Sequence, residues 1–487
     1  MREHREFASC GALRQGTQPT AGAAASPLAL LAIIATAVAT LRLALLAANG
    51  ADLFVDEAQY WAWSRDLAGG YFSKPPLIAW VIAATTWLGG AADPFWVRAA
   101  APVLHALAAV AVGAVAARAF DGRTGLVAGL AWLTMPGVAF GAQVMSTDTV
   151  MLAPLALALL LWMRMVARPS AVTALAAGAA LGLAALAKYA ALYGVACAAL
   201  WALAEPAGRP RLRDAALALA ALAAMLAPNI LWNIAHGGVT LAHTAANAGA
   251  SQGLRPLALA AFIGAQFGLM GPILFAAWLA AAWRAPRGPL FWFSAPILAV
   301  VALQALRAGA NANWAAAAFV AATPMAAAQL LRWGRHVRAA SFALGVAVAV
   351  ALPLAAAAPW ALPGPRGLPL FARVLGQQAY ADEIGARAAA GGATLILADN
   401  RALLAALTHG LRAAPVAVAA APRGAAVRHG WDLAPPAAAP QGAVLWATLG
   451  EPGPPPPGWR AAALSPPAAQ PFMKHRAPGL YLLETAP

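Results

Sequence analysis

From Pro27 to Pro359 the chain is a succession of apolar runs, each about 16–28 residues long. Arginines break these runs, where a soluble surface would show mixed charge. A run of about 20 apolar residues spans the hydrocarbon core of a bilayer as a helix. In lipid every backbone polar group must be paired internally, so such runs fold as helices that pack on one another. Eleven spans are expected: 27–48, 97–117, 124–143, 149–165, 171–187, 189–204, 214–235, 256–283, 289–306, 314–331 and 340–359. Composition agrees: of 487 residues, 62% are hydrophobic and only 10% charged. A soluble protein carries roughly 25% charged residues.

The arginines set the expected orientation, because cytoplasmic loops collect Arg and Lys. Arg2, Arg5 and Arg14 fall on one side of the spans, with Arg118, Arg123, Arg164, Arg168, Arg209, Arg211 and Arg213. Arg284, Arg287, Arg332, Arg335 and Arg338 continue that side. The N-terminus is therefore expected in the cytoplasm and the C-terminus outside. The apolar stretch from Pro76 to Gly90 decides the register. At about 15 residues it is short for a span, and if it crossed, every later basic loop would invert. It is assigned to a long outer loop, 49–96, with helices near 57–68 and 77–88. The formal charge of +15 invites a nucleic-acid reading, but the arginines form no basic face, so no nucleic-acid partner is expected. Cys10 and Cys197 are the only cysteines, and no disulfide framework is expected.

Beyond residue 360 the pattern changes. Pro363, Pro365 and Pro369 mark a linker. A helical stretch around 370–389 follows, then strand-like runs at 394–398, 416–419, 443–448 and 480–484, with a helix from Asn400 to His409. The expected organisation is a cytoplasmic tail (1–26), a membrane domain (27–359) and a small outer α/β domain (360–487). No internal repeat is apparent, which weakens a secondary-transporter reading.

Lysine is scarce: Lys74, Lys188 and Lys474 stand against 29 arginines. Two of them interrupt the most apolar part of the chain. A charge at membrane depth is costly and is functional by default, although a Lys at a helix end can also snorkel to the interface. An ammonium suits a phosphate oxygen as a point charge. Acidic residues are as selectively placed. None lies between Asp214 and Asp382, while Asp52, Asp56, Glu57, Asp66, Asp93 and Asp148 fall on the expected outer side. Asp56 and Asp148 each open a helix, so each also reads as an N-cap. Trp61 and Trp63 suit sugar stacking or an interfacial belt. His236 and His243 lack the spacing of a helical zinc pair and read as polar loop residues. Together the carboxylates, lysines and aromatics suit group transfer from an anionic leaving group. A carboxylate takes the proton of an attacking hydroxyl, and fixed cations stabilise the charge that develops on a departing phosphate. No Gly-rich nucleotide motif is present, which favours a lipid-linked donor.

The run Asp56-Glu57-Ala58-Gln59-Tyr60, then Tyr71-Phe72-Ser73-Lys74-Pro75-Pro76 and Phe95-Trp96-Val97-Arg98, resembles the bacterial glycosyltransferase family 39 group. That group holds aminoarabinose lipid A transferases and relatives of protein mannosyltransferases. Ser146-Thr147-Asp148 is similar to its second acidic motif, and Ala187-Lys188-Tyr189 to its mid-membrane Lys motif. Leu231 to Gly237 (with Asn233) and Asn311-Ala312-Asn313-Trp314 are similar to later landmarks. The resemblance covers roughly 27–330. It implies a GT-C architecture: an all-α polytopic membrane protein of about eleven helices, joined here to the small α/β domain. It also implies a polyprenyl-phosphate sugar donor, with Asp56 and Asp148 as catalytic carboxylates and Lys74 and Lys188 on the donor phosphate. Glu57, Tyr60, Tyr189, Asn233, His243 and Asn313 are implied in substrate binding. Two departures stand out. Ser73 replaces an acid that helps some relatives hold a metal, leaving His243 as the nearest candidate ligand, so no metal ligand is assigned and a divalent cofactor is left open. Gln59 replaces an Arg of the lipid A branch, which puts lipid A specificity in question.

The reading is an inverting glycosyltransferase of a bacterial inner membrane. It passes a sugar from polyprenyl phosphate to a lipid, glycan or protein acceptor at the outer face. The alternative is a lipid-linked-sugar flippase without transferase activity, and the acid-free second half speaks against its proton-driven form.

Overall fold

The computed structural model describes residues 26–247, 249, 253–422, 430–433, 443–451, 453–456 and 458–485. The expected tail, with Arg2, Arg5, Cys10 and Arg14, lies outside the described residues. The chain divides into two compact units. The first holds the described residues up to Leu46, with Lys74–Ile78 and Arg98–Pro353. The second holds Ala47–Ser73, Ala79–Val97 and the described residues from Leu354 onward. Most of the outer loop thus groups with the C-terminal region.

The helices of the first half are α1 (Pro27–Ala47), α2 (Val55–Ser64), α3 (Leu77–Gly89), α4 (Ala100–Ala119) and α5 (Gly122–Thr134). Then come α6 (Thr147–Ala167), α7 (Ala171–Ala187), α8 (Tyr193–Ala204) and α9 (Leu212–Ala235). The second half adds α10 (Val239–Asn247), α11 (Pro256–Met270), α12 (Pro272–Arg284), α13 (Ala295–Ala308), α14 (Ala316–Trp333) and α15 (Arg335–Ala357). Among the described residues seven helices are long and apolar enough to cross a membrane, or eight if the α11–α12 pair counts as one span. The expected spans at 171–187 and 189–204 form apolar helices, but shorter than that length. Two expectations of continuity fail. The span expected at 256–283 is bent by 109° between α11 and α12. Gly271 takes φ +93° there, a conformation glycine adopts without penalty, and Pro272 then starts α12 at a position that needs no N–H. The span expected at 124–143 breaks at Met135, whose extended backbone precedes Pro136.

Small residues let the bundle helices approach closely. Gly178 and Gly182 lie four apart on α7, which packs against α6 and α9. A Cβ at Gly178 would come within 2.0 Å of the Ala218 carbonyl oxygen, and one at Gly182 within 2.5 Å of Met225. This is the small-residue crossing typical of membrane helices, where packing replaces a hydrophobic driving force. Gly113 of α4 and Gly125 of α5 meet in the same way: a Cβ on either would approach the other's carbonyl oxygen at 3.0 or 2.8 Å.

The second unit contains α2, most of α3, α16 (Gln377–Ala390) and α17 (Arg401–Gly410). It also carries a five-stranded sheet of β1 (Ala393–Ala398), β2 (Ala417–Ala420), β3 (Ala443–Leu449), β4 (Trp459–Ala463) and β5 (Pro478–Thr485). The strand order is β2-β1-β3-β5-β4. β1 pairs in parallel with β2 and β3, and β5 runs antiparallel to β3 and β4. Ile396 and Leu445 face a core shared with Ile384, Leu403, Leu407 and Phe472. Leu395, Leu397 and Trp446 face the opposite layer. Both faces of β1 are covered, which is why it reads as an unbroken apolar run.

Candidate active site

The first unit collects its polar groups where its helices begin and break. Ser146 caps α6, its hydroxyl accepting the Thr149 N–H at 3.2 Å. The cap is therefore Ser146, and Asp148 sits in the first turn, where the helix dipole favours a negative charge. α7 ends at Lys188, whose extended backbone (φ −159°, ψ 128°) separates it from a short 3₁₀ turn at Tyr189–Leu192. The Lys188 ammonium donates to both carboxylate oxygens of Asp148, at 2.7 and 2.9 Å. Asn313, in another 3₁₀ turn, donates its Nδ2 to Asp148 Oδ2 at 2.7 Å. The ion pair is largely enclosed, its side chains 16% and 12% exposed. Three residues singled out in the sequence, 40 and 165 positions from Asp148, thus share one hydrogen-bonded cluster.

That bonding changes how Asp148 reads chemically. Both its oxygens accept from donors, which fixes the carboxylate beside the ammonium. Lys188 spends two of its bonds on Asp148, and a further N–H suits an incoming phosphate oxygen. Next to Lys188, the Tyr189 hydroxyl donates to Asn229 Oδ1 at 2.6 Å. Asn233, one turn along α9, donates to the Asn229 carbonyl oxygen at 3.0 Å. Among the described residues the Asn233 Oδ1 is buried without a donor, so the cluster retains an acceptor. Lys74 lies half-buried just before α3. His243 is half-buried on α10. Among the described residues no three His, Cys, Asp or Glu side chains converge as a metal site would need.

The second unit holds the other acidic motif. α2 is capped from Glu57: its Oε2 accepts the Phe54 N–H at 2.9 Å, and the residue is fully buried. Glu57 thus fastens the start of the helix. Asp56, beside it, points outward with 61% of its side chain exposed. Its Oδ1 accepts from Arg401 Nη2 at the start of α17. Arg401 also donates to Gln59 Oε1, through Nε at 2.8 Å and Nη2 at 2.5 Å. Tyr60 is buried against Trp63 at 5.4 Å between ring centroids. Trp63 stacks on Tyr71 at 4.8 Å, nearly coplanar. The Tyr71 hydroxyl lies 3.0 Å from the Trp63 and Asp66 carbonyl oxygens. Burial raises its pKa, with the Asp66 charge adding to the effect and the Ala68 N–H opposing it. The phenol therefore stays protonated at neutral pH and braces the loop. Trp61 packs edge-on to His409 of α17, whose Nε2 lies 2.8 Å from the Ala92 carbonyl oxygen.

Sequence reasoning missed Arg401 and Asn229, and the bonds that Lys188 and Asn313 make to Asp148. Arg401 did leave a signal. Asn400 caps α17, its Oδ1 accepting the Ala402 N–H at 2.8 Å. A cation in the first turn opposes the helix dipole and calls for an anion nearby. Nothing in the local sequence says that the anion is Asp56, 345 residues away.

The family model for dolichyl-phosphate-mannose-protein mannosyltransferases matches residues 73–232. The lipid A galacturonosyltransferase RgtD of Rhizobium johnstonii is 38% identical over 393 residues, covering 79% of this chain and 83% of that protein. Two crystal structures of ArnT from Cupriavidus metallidurans share the fold. The apo form superposes with a TM-score of 0.63 at 15% identity, over 93% of this chain and 97% of that one. The form bound to undecaprenyl phosphate superposes with a TM-score of 0.64 at 16% identity, over 94% and 98%. With that identity to RgtD along most of both chains, and with the GT-C fold of ArnT, this chain belongs to the bacterial glycosyltransferase family 39 and is an integral membrane protein.

Proposed function

We propose that the chain transfers a uronic acid from a polyprenyl-phosphate donor to a lipid A-type acceptor at the outer face of the inner membrane, with inversion at the anomeric carbon. The single observation that carries the reading is the Lys188 ammonium, held at a helix break by Asp148 and Asn313. A fixed cation amid apolar helices suits the phosphate of a lipid whose chain lies among those helices. The donor class follows ArnT, solved with undecaprenyl phosphate, and the sugar and acceptor follow RgtD. Residues 27–359 form the membrane catalytic domain and 360–487 the outer domain, with the N-terminus in the cytoplasm.

In this reaction an acceptor hydroxyl oxygen attacks the anomeric carbon as the carbon–oxygen bond to phosphate breaks. The bonding pair leaves with the lipid phosphate, and Lys188 and Lys74 stabilise its charge. The hydroxyl proton passes to Asp56. Arg401 occupies Oδ1 of Asp56, which turns Oδ2 to the acceptor. A phosphate leaving group needs no general acid, so one carboxylate suffices. A single displacement inverts the centre. Tyr189 and Asn233 line the donor side.

The test is the purified protein in lipid nanodiscs with a radiolabelled polyprenyl-phosphate uronosyl donor and lipid A. The expected result is label on lipid A and release of polyprenyl phosphate, with Lys188→Ala raising the donor KM far more than the acceptor KM. Equal effects on the two substrates would remove the phosphate role of Lys188.

A further inference from the structure

Arg401 offers more than its bonds to Asp56 and Gln59. A guanidinium presents five N–H donors in a fixed planar fork. Among the described residues, Nε and Nη2 are the atoms that reach Gln59 and Asp56, which leaves the Nη1 edge of the fork. The pair is open to solvent, with the Arg401 side chain 42% exposed. The partners do not use up its charge symmetrically either: Gln59 is a neutral amide, and Asp56 gives Arg401 one oxygen, where a full fork-to-fork pairing would give two.

We infer that Arg401 reads the carboxylate of the donor sugar, its Nη1 edge binding the C6 carboxylate while Nη2 holds Asp56. The inference rests on the uronosyl-transfer reading above and names the residue that would choose the sugar. Three points support it. Asp56, if it deprotonates the acceptor, lies next to the sugar ring during transfer, so a group bonded to Asp56 is within reach of the ring substituents. A uronic acid brings a second carboxylate to Asp56, and two carboxylates in one site repel. A guanidinium bridging them removes that repulsion and makes the site selective for the charged sugar. Lastly, the neutral Gln59 takes up Nε and half of Nη2. This fixes the plane of the fork, and planar, preset geometry is what distinguishes arginine from lysine in carboxylate recognition.

A site built to bond a charged group rejects an analogue that lacks it, because its donors are left unpaired. The experiment compares two donors, polyprenyl-phosphate galacturonate and polyprenyl-phosphate galactose, which carries a neutral C6 alcohol. Each is given to the full-length wild type, Arg401→Gln and Arg401→Lys in nanodiscs, with kcat/KM measured for both. Wild type is expected to prefer the uronosyl donor. In Arg401→Gln, both transfers are expected to fall, because Asp56 loses the bond that orients it, but uronosyl transfer is expected to fall roughly tenfold or more further than galactosyl transfer, so the preference collapses. Arg401→Lys keeps the charge without the fork and is expected to retain about a tenth of the preference. A fall by the same factor with both donors would mean that Arg401 serves Asp56 alone, overturning the inference and leaving the transferase reading intact. A wild type that uses both donors equally would also overturn it. A wild type inactive with both would remove the donor reading itself. Unchanged melting temperatures of the variants exclude loss of fold as the cause.

Discussion

The molecule holds two Asp–cation pairs of the same chemistry in opposite surroundings. In the bundle Lys188 and Asp148 are enclosed, doubly bonded and backed by Asn313. In the second unit Asp56 and Arg401 are open, and Asp56 meets Arg401 through one oxygen only. Enclosure makes a pair rigid and expensive to break, because removing one partner leaves the other charge buried. Exposure makes a pair nearly neutral for stability and leaves donors and acceptors for a substrate. The difference suggests a division of labour. On the proposed reading, the enclosed pair presents a preset cation, and the open pair presents a base and a guanidinium edge.

Five variants test that contrast and the packing beside it, and the largest effect belongs to Asp56. Asp56→Asn keeps the size and the bond to Arg401 but cannot take a proton. Turnover is expected to fall by roughly 10²–10⁴-fold, the usual contribution of a general base, with the melting temperature unchanged. Next is Asp148→Ala, which strands Lys188 in the bundle. It is expected to destabilise by about 3–5 kcal/mol, read from thermal or denaturant unfolding in detergent. Asp148→Asn combined with Lys188→Met should recover much of that stability and none of the activity, which separates holding from catalysis. Smaller again is Gly178→Val, where a side chain must enter the α7–α9 crossing within 2.0 Å of a carbonyl oxygen. Overpacking of this kind costs about 1–3 kcal/mol, and a silent substitution would mean that the helices can separate without penalty. The smallest is Arg401→Gln, whose stability should change by less than about 1 kcal/mol. A larger loss would make the open pair structural and dissolve the contrast.

Much of the bundle was legible because lipid imposes a simple rule: apolar length becomes helix. Lys188 and Asp148 were visible for the converse reason, since a charged group is conspicuous beside apolar runs, whereas Asn313 entered only through the family resemblance. Their convergence was not visible, because hydrogen bonds across 40 and 165 residues leave no local trace. The bend at Gly271 was misread as one span, since Gly-Pro interrupts the backbone without lowering hydropathy. Strand β1 was found from its apolar run. Strand β4 was missed, because it lies at the sheet edge with few buried residues and its Trp-Arg-Ala-Ala-Ala sequence carries no alternation. Asp56 and Glu57 were expected as a catalytic carboxylate and a substrate-binding acid. One became a buried cap and the other an exposed carboxylate, a distinction set by which side of α2 each occupies. Arg401 left only the trace of a cation in a helix's first turn, and its partner Asp56 appears only once α17 and α2 pack together.

The most direct test of the account is single-turnover kinetics of sugar transfer from a polyprenyl-phosphate uronosyl donor by wild type and Asp56→Asn, both shown to be folded. The account predicts transfer by wild type and a loss of at least about 100-fold in the variant. Asp56→Asn turnover within about threefold of wild type would contradict it, and the catalytic carboxylate would have to lie elsewhere.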